Sequence, residues 1–291
     1  MTGAEKGILM LTCPLGEQAQ TLTPRQFYGF RRRVMAAIQQ QGDEELTVSH
    51  LTALGLPEGT AKKILALLER EERLESYLSA GQACGITAVT RASAPYPDAL
   101  ETKLGPNAPA ALFCLWDVQL LQTPFVARVG SRKLHDAGRR FAETVGTLAA
   151  KESYTLVSGG AVGADSAAQQ ACLQAGGSVI VFTPERLLDV SPGEHVLYCS
   201  EGGYDHPFSA QRALSRNRLI HALAEKTFVA QCDGKRGGTW RGSLENLQKR
   251  YSDLFVFSDG GEGTRALVQL GAEPVTELIS IRDLQLLQME F

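Results

Sequence analysis

The stretch Tyr154–Pro184, YTLVSGGAVGADSAAQQACLQAGGSVIVFTP, decides how the rest of the chain is read. Tyr154 to Val157 is a short apolar run, and Ser158, Gly159, Gly160 and Gly163 follow as a turn with little side-chain bulk. Asp165 and Ser166 are suited to cap a helix, because their oxygens accept the free N–H groups of a first turn. Gly176 and Gly177 end that helix, and Val179 to Phe182 reads as a buried parallel strand. The order is strand, glycine turn, helix, strand. Such a turn brings backbone N–H groups close to a ligand, and the helix dipole favours an anion there. The turn is either part of a phosphate- or nucleotide-binding crevice or only a tight strand-to-helix connection. Its spacing departs from G-x-G-x-x-G, so the turn alone leaves both readings open.

Outward from this stretch the alternation is regular. Phe125–Ser131 reads as a strand, His135–Lys151 as a helix and Val196–Glu201 as a strand. HPFSAQRALSRNRLIHALAE reads as a helix ending near Glu225, followed by a strand at Thr227–Cys232. GGTWRGSLENLQKRY is a helix, Leu254–Ser258 a strand, and GGEGTRALVQLG a last helix. The pattern predicts an α/β fold with a doubly wound, mostly parallel sheet, whose ligand sits beyond the carboxyl ends of the strands. Four turns fall there: Gly130–Lys133, Ser158–Asp165, Gly237–Thr239 and Asp259–Thr264.

The part before Pro124 differs. Residues 1–82 predict a small helical N-terminal module, SAM- or helix-hairpin-helix-like, and residues 83–291 the second domain with its entry segment. Thr23 and Pro24 start a helix in which Phe27, Phe30, Val34 and Ile38 recur at helical spacing. Leu54–Leu65 has the outline of a helix-hairpin-helix, but Glu58 would face the phosphate, so the module reads as a bundle or a partner-docking unit. Pro95, Pro97, Pro106 and Pro109 make the next segment turn-rich and linker-like, with one strand at Ala110–Trp116.

Composition narrows the function. A chain of 291 residues with 44% hydrophobic and 21% charged residues is ordinary for a soluble globular protein. The net charge of −3 requires that any nucleic-acid contact come from a local patch. Six cysteines show no C-x-x-C pair and five histidines no ligand cluster, so no metal and no cofactor are expected. The apolar run Ile8–Leu11 is too short for a signal peptide, and no segment reaches membrane-spanning length, which predicts a cytoplasmic protein with no membrane partner.

Five motifs in one order, over roughly residues 85 to 280, resemble the DprA/Smf (DNA-processing protein A) family. They are the entry segment GITAVTRASAPYPDAL, the turn RVGSRKLHDAG, the turn and helix LVSGGAVGADSAAQQACLQAGG, the segment SRNRLIHALAE, and the closing FVFSDGGEGTRALVQLGAEPV. GGTWRGSLENL stands where that family has S-G-[ST]. The resemblance implies a Rossmann-like domain that binds single-stranded DNA, often as a homodimer, and loads the RecA recombinase during uptake of transforming DNA. It implies no catalysis. The DNA- or phosphate-binding positions it marks are Gly130, Ser131, Arg132, Ser158, Gly159, Gly160, Gly163, Asp165, Arg216, Asn217, Arg218, Gly238, Thr239, Gly260, Gly261, Gly263 and Thr264. Arg132, Arg216 and Arg218 would meet phosphates, the glycine turns would present N–H groups, and Thr239 and Thr264 would donate hydroxyl bonds. The alternative for Arg132 is pairing with an acid such as Asp165. Asn217 reads as a structural tie, and Lys133, Arg139 and Arg140 as surface charge.

Departures from the family pattern open a second class of function. Val162 stands where the family has arginine, Ala213 and Leu214 where it has Phe-Pro, and Asp259 and Gly260 where it has Pro-Gly. Lys235, Arg236 and Arg241 are candidates to compensate, whereas Trp240 reads equally well as core. GGEGT with GSRK is similar to the lysine-decarboxylase-like (LOG) nucleotide phosphoribohydrolases, yet Leu267 stands where their glutamate belongs. A nucleotide-binding sensor without turnover is the remaining alternative.

Overall fold

A computed structural model describes residues 1–41 and 46–286 of the chain. Nine strands form one sheet in the order β1-β2-β6-β5-β4-β3-β7-β8-β9. They are β1 Ile86–Thr90, β2 Ala111–Leu115, β3 Phe125–Val129, β4 Thr155–Ser158, β5 Val179–Phe182, β6 Val196–Glu201, β7 Lys226–Val229, β8 Asp253–Phe257 and β9 Glu273–Val275. From β6 to β9 every neighbouring pair is parallel; β1 and β2 add an antiparallel edge, with Cys114 opposite Cys199. The expected doubly wound, mostly parallel sheet is therefore the fold. The linker-like segment holds more structure than its prolines suggested. It carries β1, β2 and helix α6 (Asp98–Leu104), and the register Ile86↔Leu115 to Thr90↔Ala111 extends the sheet.

Both faces of the parallel part are covered, which is why its strands read as continuous apolar runs. Alternate residues of β3 point to opposite faces: Phe125, Ala127 and Val129 join one core, Val126 the other. On one face lie α7 (Asp136–Lys151) and α8 (Ala164–Gln174). They pack closely because a Cβ on Gly146 would come within 2.1 Å of the Ala168 carbonyl oxygen. On the other face lie α9 (Ala210–Leu223), α10 (Gly237–Lys249) and α11 (Glu262–Gln269), through Leu219, Leu223 and Leu267.

The described part of the first 83 residues forms five helices: α1 Gly3–Thr12, α2 Pro24–Gln41, α3 Val48–Ala53, α4 Glu58–Leu68 and α5 Glu71–Ala83. Thr23 caps α2 as its sequence suggests, its Oγ1 accepting the Gln26 N–H at 3.3 Å while Gln26 Oε1 accepts the Thr23 N–H at 3.0 Å. Phe27 and Phe30 are buried beside Leu51, Ile64 and Leu67; the side chains of Val34 and Ile38 lie outside the described part. Two arginines of α2 make contacts across the helices. Arg31 pairs with Glu101 at 3.1 Å, and Arg33 donates to the Gly55 carbonyl at 2.8 Å, closing the α3–α4 hairpin. Among the described residues no helix is long and apolar enough to cross a membrane.

Candidate functional site

The chain builds β3, β4, β5 and β6 in one direction, then returns to set β7 on the other side of β3. At that reversal the connections leave the carboxyl ends of β3 and β7 towards opposite faces, and a crevice opens between them. Its volume is about 840 Å³. The β3–α7 turn, Asp165, helix α9 and the start of α10 line it, including Gly130, Ser131, Arg132, Arg216, Asn217, Gly238 and Thr239. Seven of the marked residues, from two of the four predicted turns and helix α9, thus meet in one place, and Asp165 from a third turn is an eighth.

The β4–α8 turn behaves differently from its sequence reading. Asp165 Oδ2 accepts the N–H groups of Gly159 at 3.1 Å and Ala161 at 3.3 Å. Ser166 Oγ accepts the Gly163 N–H at 3.0 Å. Asp165 therefore ties the turn ahead of the helix instead of capping its first turn, and the N–H groups expected to meet a phosphate hold a carboxylate of the chain itself. Ser158 is fully buried and accepts a hydrogen bond from Gln169. The glycines serve close approach. A Cβ on Gly159 would lie 1.4 Å from Arg216 Nη1, and one on Gly163, at φ 99°, 2.2 Å from the Arg132 carbonyl oxygen. Gly160 also has positive φ, at 70°.

Two arginines lie near Asp165, and among the described residues only Arg128 pairs with it. Arg128, fully buried in β3, brings Nη1 to 3.7 Å from Asp165 Oδ1, and all three of its side-chain nitrogens are buried without a hydrogen-bond partner among the described residues. Arg216 approaches from α9, over Gly159. Burial pushes the Arg128 pKa down to about 10 and lowers that of Arg216. Burial raises that of Asp165, opposed by the two arginines. Arg128, Arg132 and the half-buried Arg216 thus outnumber the carboxylates of Asp165 and Asp233 at the crevice. Arg132 does not pair with Asp165; it is exposed and has no ion pair among the described residues.

The start of α10 is open. Its N-cap, Arg236, makes no side-chain cap, so the first-turn N–H groups at Gly237, Gly238 and Thr239 carry the positive end of the helix dipole. Asn217 donates to the Gly238 carbonyl at 3.4 Å, the structural tie its sequence suggested. Arg236 and Arg241 stand on the same rim, as does Lys133. The β3–α7 turn is held by Ser131, whose N–H donates to the Gln231 carbonyl at 2.9 Å and whose Oγ donates to Asp233.

Other marked residues do not reach the crevice. Arg218 lies two positions beyond Arg216, a rotation of about 200° around the helix. It points instead to Glu201, at 3.0 Å, and lines a separate cavity of about 250 Å³ beside Thr12, Leu22 and Pro24. Gly260, Gly261, Gly263 and Thr264 form the β8–α11 turn, which closes on itself. Asp259 accepts the Gly261 N–H at 2.8 Å and the Thr264 hydroxyl, and Thr264 is only 2% exposed. Gly263 packs against the carbonyls of Cys232 and Gly234, so this turn supports the β7–α10 loop from behind. Val162 stands at the tip of its turn, 79% exposed, and Trp240 packs against the core.

Sequence reading missed Arg128, Asp233, His221 and Phe208. A charged residue between Ala127 and Val129 in an all-buried strand was the available signal for Arg128. Phe208 lies on the crevice rim, 53% exposed, beside Leu214. It puts an aromatic ring at the crevice although the Phe-Pro position is lost.

Fold and crevice together define a class: a Rossmann-like, doubly wound α/β protein with a cationic crevice at its switch point. The family model for DNA recombination-mediator protein A matches residues 87–284, and the chain belongs to that family. The DNA processing protein DprA of Streptococcus pneumoniae is 32% identical over 186 residues, covering 58% of this chain and 64% of the relative, so the chain spans less than two thirds of that relative's length. The X-ray structure of DprA from Streptococcus pneumoniae superimposes with TM-score 0.67 at 24% identity, covering 88% of this chain and 95% of that one. A structure addressing the single-stranded DNA binding mode of DNA processing protein A from Helicobacter pylori does so with TM-score 0.58 at 25% identity, covering 66% and 92%.

Proposed function

We propose that the crevice binds the phosphate backbone of single-stranded DNA without catalysis. In this reading the protein is a cytoplasmic homodimer that hands DNA to the RecA recombinase in transformation and recombination. The observation that carries the reading is the charge balance. Arg128 pairs with Asp165, Arg216 lies beside that pair, Arg132 has no ion pair among the described residues, and the uncapped α10 N-terminus faces the same space, where Asp233, held by Ser131, is the other lining carboxylate. A buried excess of positive charge is costly unless an anion completes it. Arg132, Arg216 and the α10 N–H groups are the phosphate contacts in this reading, with Thr239 as a hydroxyl donor. The helical residues 1–82 are assigned as a module that packs around Leu51 and Ile64 and shares a second core with the sheet edge, where Leu9, Leu74 and Tyr77 meet Ile86 and Phe113.

The phosphoribohydrolase alternative loses support at Leu267. It occupies the position of that family's glutamate and is fully buried in the core. The test is fluorescence anisotropy with labelled poly-dT at two salt concentrations. Binding is expected to weaken steeply with salt and to fall in Arg132→Ala and Arg216→Ala. Unchanged affinity and salt slope in both variants would refute the site. RecA filament assembly on the same oligonucleotide, with and without the protein, tests the hand-over.

A further inference from the structure

The loop from β6 to α9, Gly202–Ser209, is tied at two points, and one tie comes from the helical module. Tyr77 of α5 donates its hydroxyl to Asp205 Oδ1 at 2.6 Å, and the same hydroxyl oxygen accepts the Tyr204 N–H at 3.2 Å. The Tyr204 hydroxyl donates back to the Tyr77 carbonyl at 2.9 Å, and the two rings stack with centroids 4.2 Å apart. Both tyrosines are buried. Glycines leave room for them: a Cβ on Gly81 would lie 3.0 Å from Tyr204 Cε1, and one on Gly203 would lie 3.0 Å from the Tyr77 hydroxyl. Burial and the Asp205 carboxylate raise the Tyr77 pKa, so the phenol keeps the proton it donates. A hydroxyl bonded to a carboxylate is one of the stronger hydrogen bonds a fold can make.

The second tie is Arg212 of α9. Its Nη1 donates to the carbonyls of His206 at 2.6 Å and Pro207 at 3.1 Å. Its Nη2 donates to Ser200 Oγ at 2.7 Å, and that hydroxyl donates to the Gly203 carbonyl at 2.7 Å. Ser209 then caps α9, accepting the Arg212 N–H at 3.1 Å. Phe208 lies between these anchors and the cap, its ring exposed on the crevice rim. An exposed ring on a loose loop has to be ordered when a ligand binds, and that ordering costs affinity. Here the backbone leading to the ring is fixed in advance, in part by a residue of the helical module.

We propose that Tyr77 is a positioning residue for strand binding. Through Asp205 and Tyr204 it fixes the β6–α9 loop and holds Phe208 at the rim, so the helical module contributes to DNA affinity without touching the strand. This rests on the phosphate reading above. The hydroxyl is not needed to dock the module, because Leu74 and the Tyr77 ring already pack against Phe113 in a shared apolar core.

The experiment is anisotropy with labelled poly-dT, using the full chain and Tyr77→Phe, which keeps the ring and removes the hydroxyl. Affinity should fall by roughly threefold or more. The salt slope should stay at its wild-type value, because Arg216 lies about two turns further along α9. Phe208→Ala should lose at least as much, and the double variant no more than Phe208→Ala alone. Asp205→Asn keeps an acceptor for the hydroxyl and should retain most of the affinity, whereas Asp205→Ala should match Tyr77→Phe. Fluorotryptophan introduced by Phe208→Trp gives a ¹⁹F signal beside those of Trp116 and Trp240, and Tyr77→Phe should shift or sharpen it as the loop loosens. Thermal melts establish that each variant is folded; if Tyr77→Phe does not fold, the two Asp205 variants decide. Wild-type affinity in a folded Tyr77→Phe, equal affinity of the two Asp205 variants, a slope reduced as in Arg216→Ala, additive losses in the double variant or an unmoved ¹⁹F signal overturn this proposal alone. Failure of the wild type to bind poly-dT overturns the phosphate reading with it.

Discussion

Gly159→Ala is a methyl group aimed at a guanidinium. An alanine Cβ there would lie 1.4 Å from Arg216 Nη1 and 2.3 Å from its Cζ, so the two cannot coexist. The backbone at Gly159 is not in the left-handed region, so alanine fits the turn and the flexible arginine end gives way. Arg216 then swings out of the crevice. The phosphate loses one charge-assisted contact, worth about 2 kcal/mol, or roughly 30-fold in affinity. The slope of log affinity against log salt should fall by about 0.7, one released counterion on a single strand. Folding stability should move by about 1 kcal/mol at most, because the guanidinium regains water as it leaves Asp165. Anisotropy with poly-dT over a salt series measures both terms, and a urea melt measures stability. If the methyl acts only through Arg216, Gly159→Ala combined with Arg216→Ala is no worse than either alone. Wild-type affinity and slope in Gly159→Ala, or additive losses in the double variant, would refute the placement of Arg216 at the phosphate.

Arg128→Met should cost about 3 kcal/mol in a urea melt, because Asp165 loses its only direct ion-pair partner among the described residues and Arg216 is not within ion-pair distance to replace it; adding Asp165→Asn should recover much of the loss. Arg218→Ala should leave DNA affinity and salt slope at wild-type values, since its charge is held by Glu201 away from the crevice; a slope reduced as in Arg216→Ala would move the site. Stability should carry a histidine signature. His221 has its pKa lowered from 6.5 to about 4 by burial, so between those values the unfolded chain takes up a proton that the folded chain refuses. The contribution is fully present above pH 6.5 and is lost as pH falls to 4, by roughly 3 kcal/mol. Urea melts at pH 7 and 4.5 should show this loss in the wild type and not in His221→Asn.

The parallel sheet was legible because each strand is buried on both faces and so reads as an unbroken apolar run, Val179–Phe182 for example. The strand-end location of the crevice followed from the alternation alone. β1 and β9 escaped notice. Each is short, and what makes it a strand is the register of its neighbour, not its own pattern.

The site divides along the same line. Residue type and spacing determined that glycines end the strands, that arginines sit near the helix starts, and that five motifs in order mark the DNA recombination-mediator family. Those are local features, and local sequence carries them. Tertiary structure decided which turns are free to meet a ligand. Asp165 and Asp259 each close the turn beside them, whereas among the described residues no side chain caps the start of α10. It also decided that Arg216 faces the crevice while Arg218 faces Glu201, and that Arg128 and His221, silent in their own segments, lie under and within it. Charge balance and side-chain direction depend on which elements meet across the sheet, and no single segment contains that information.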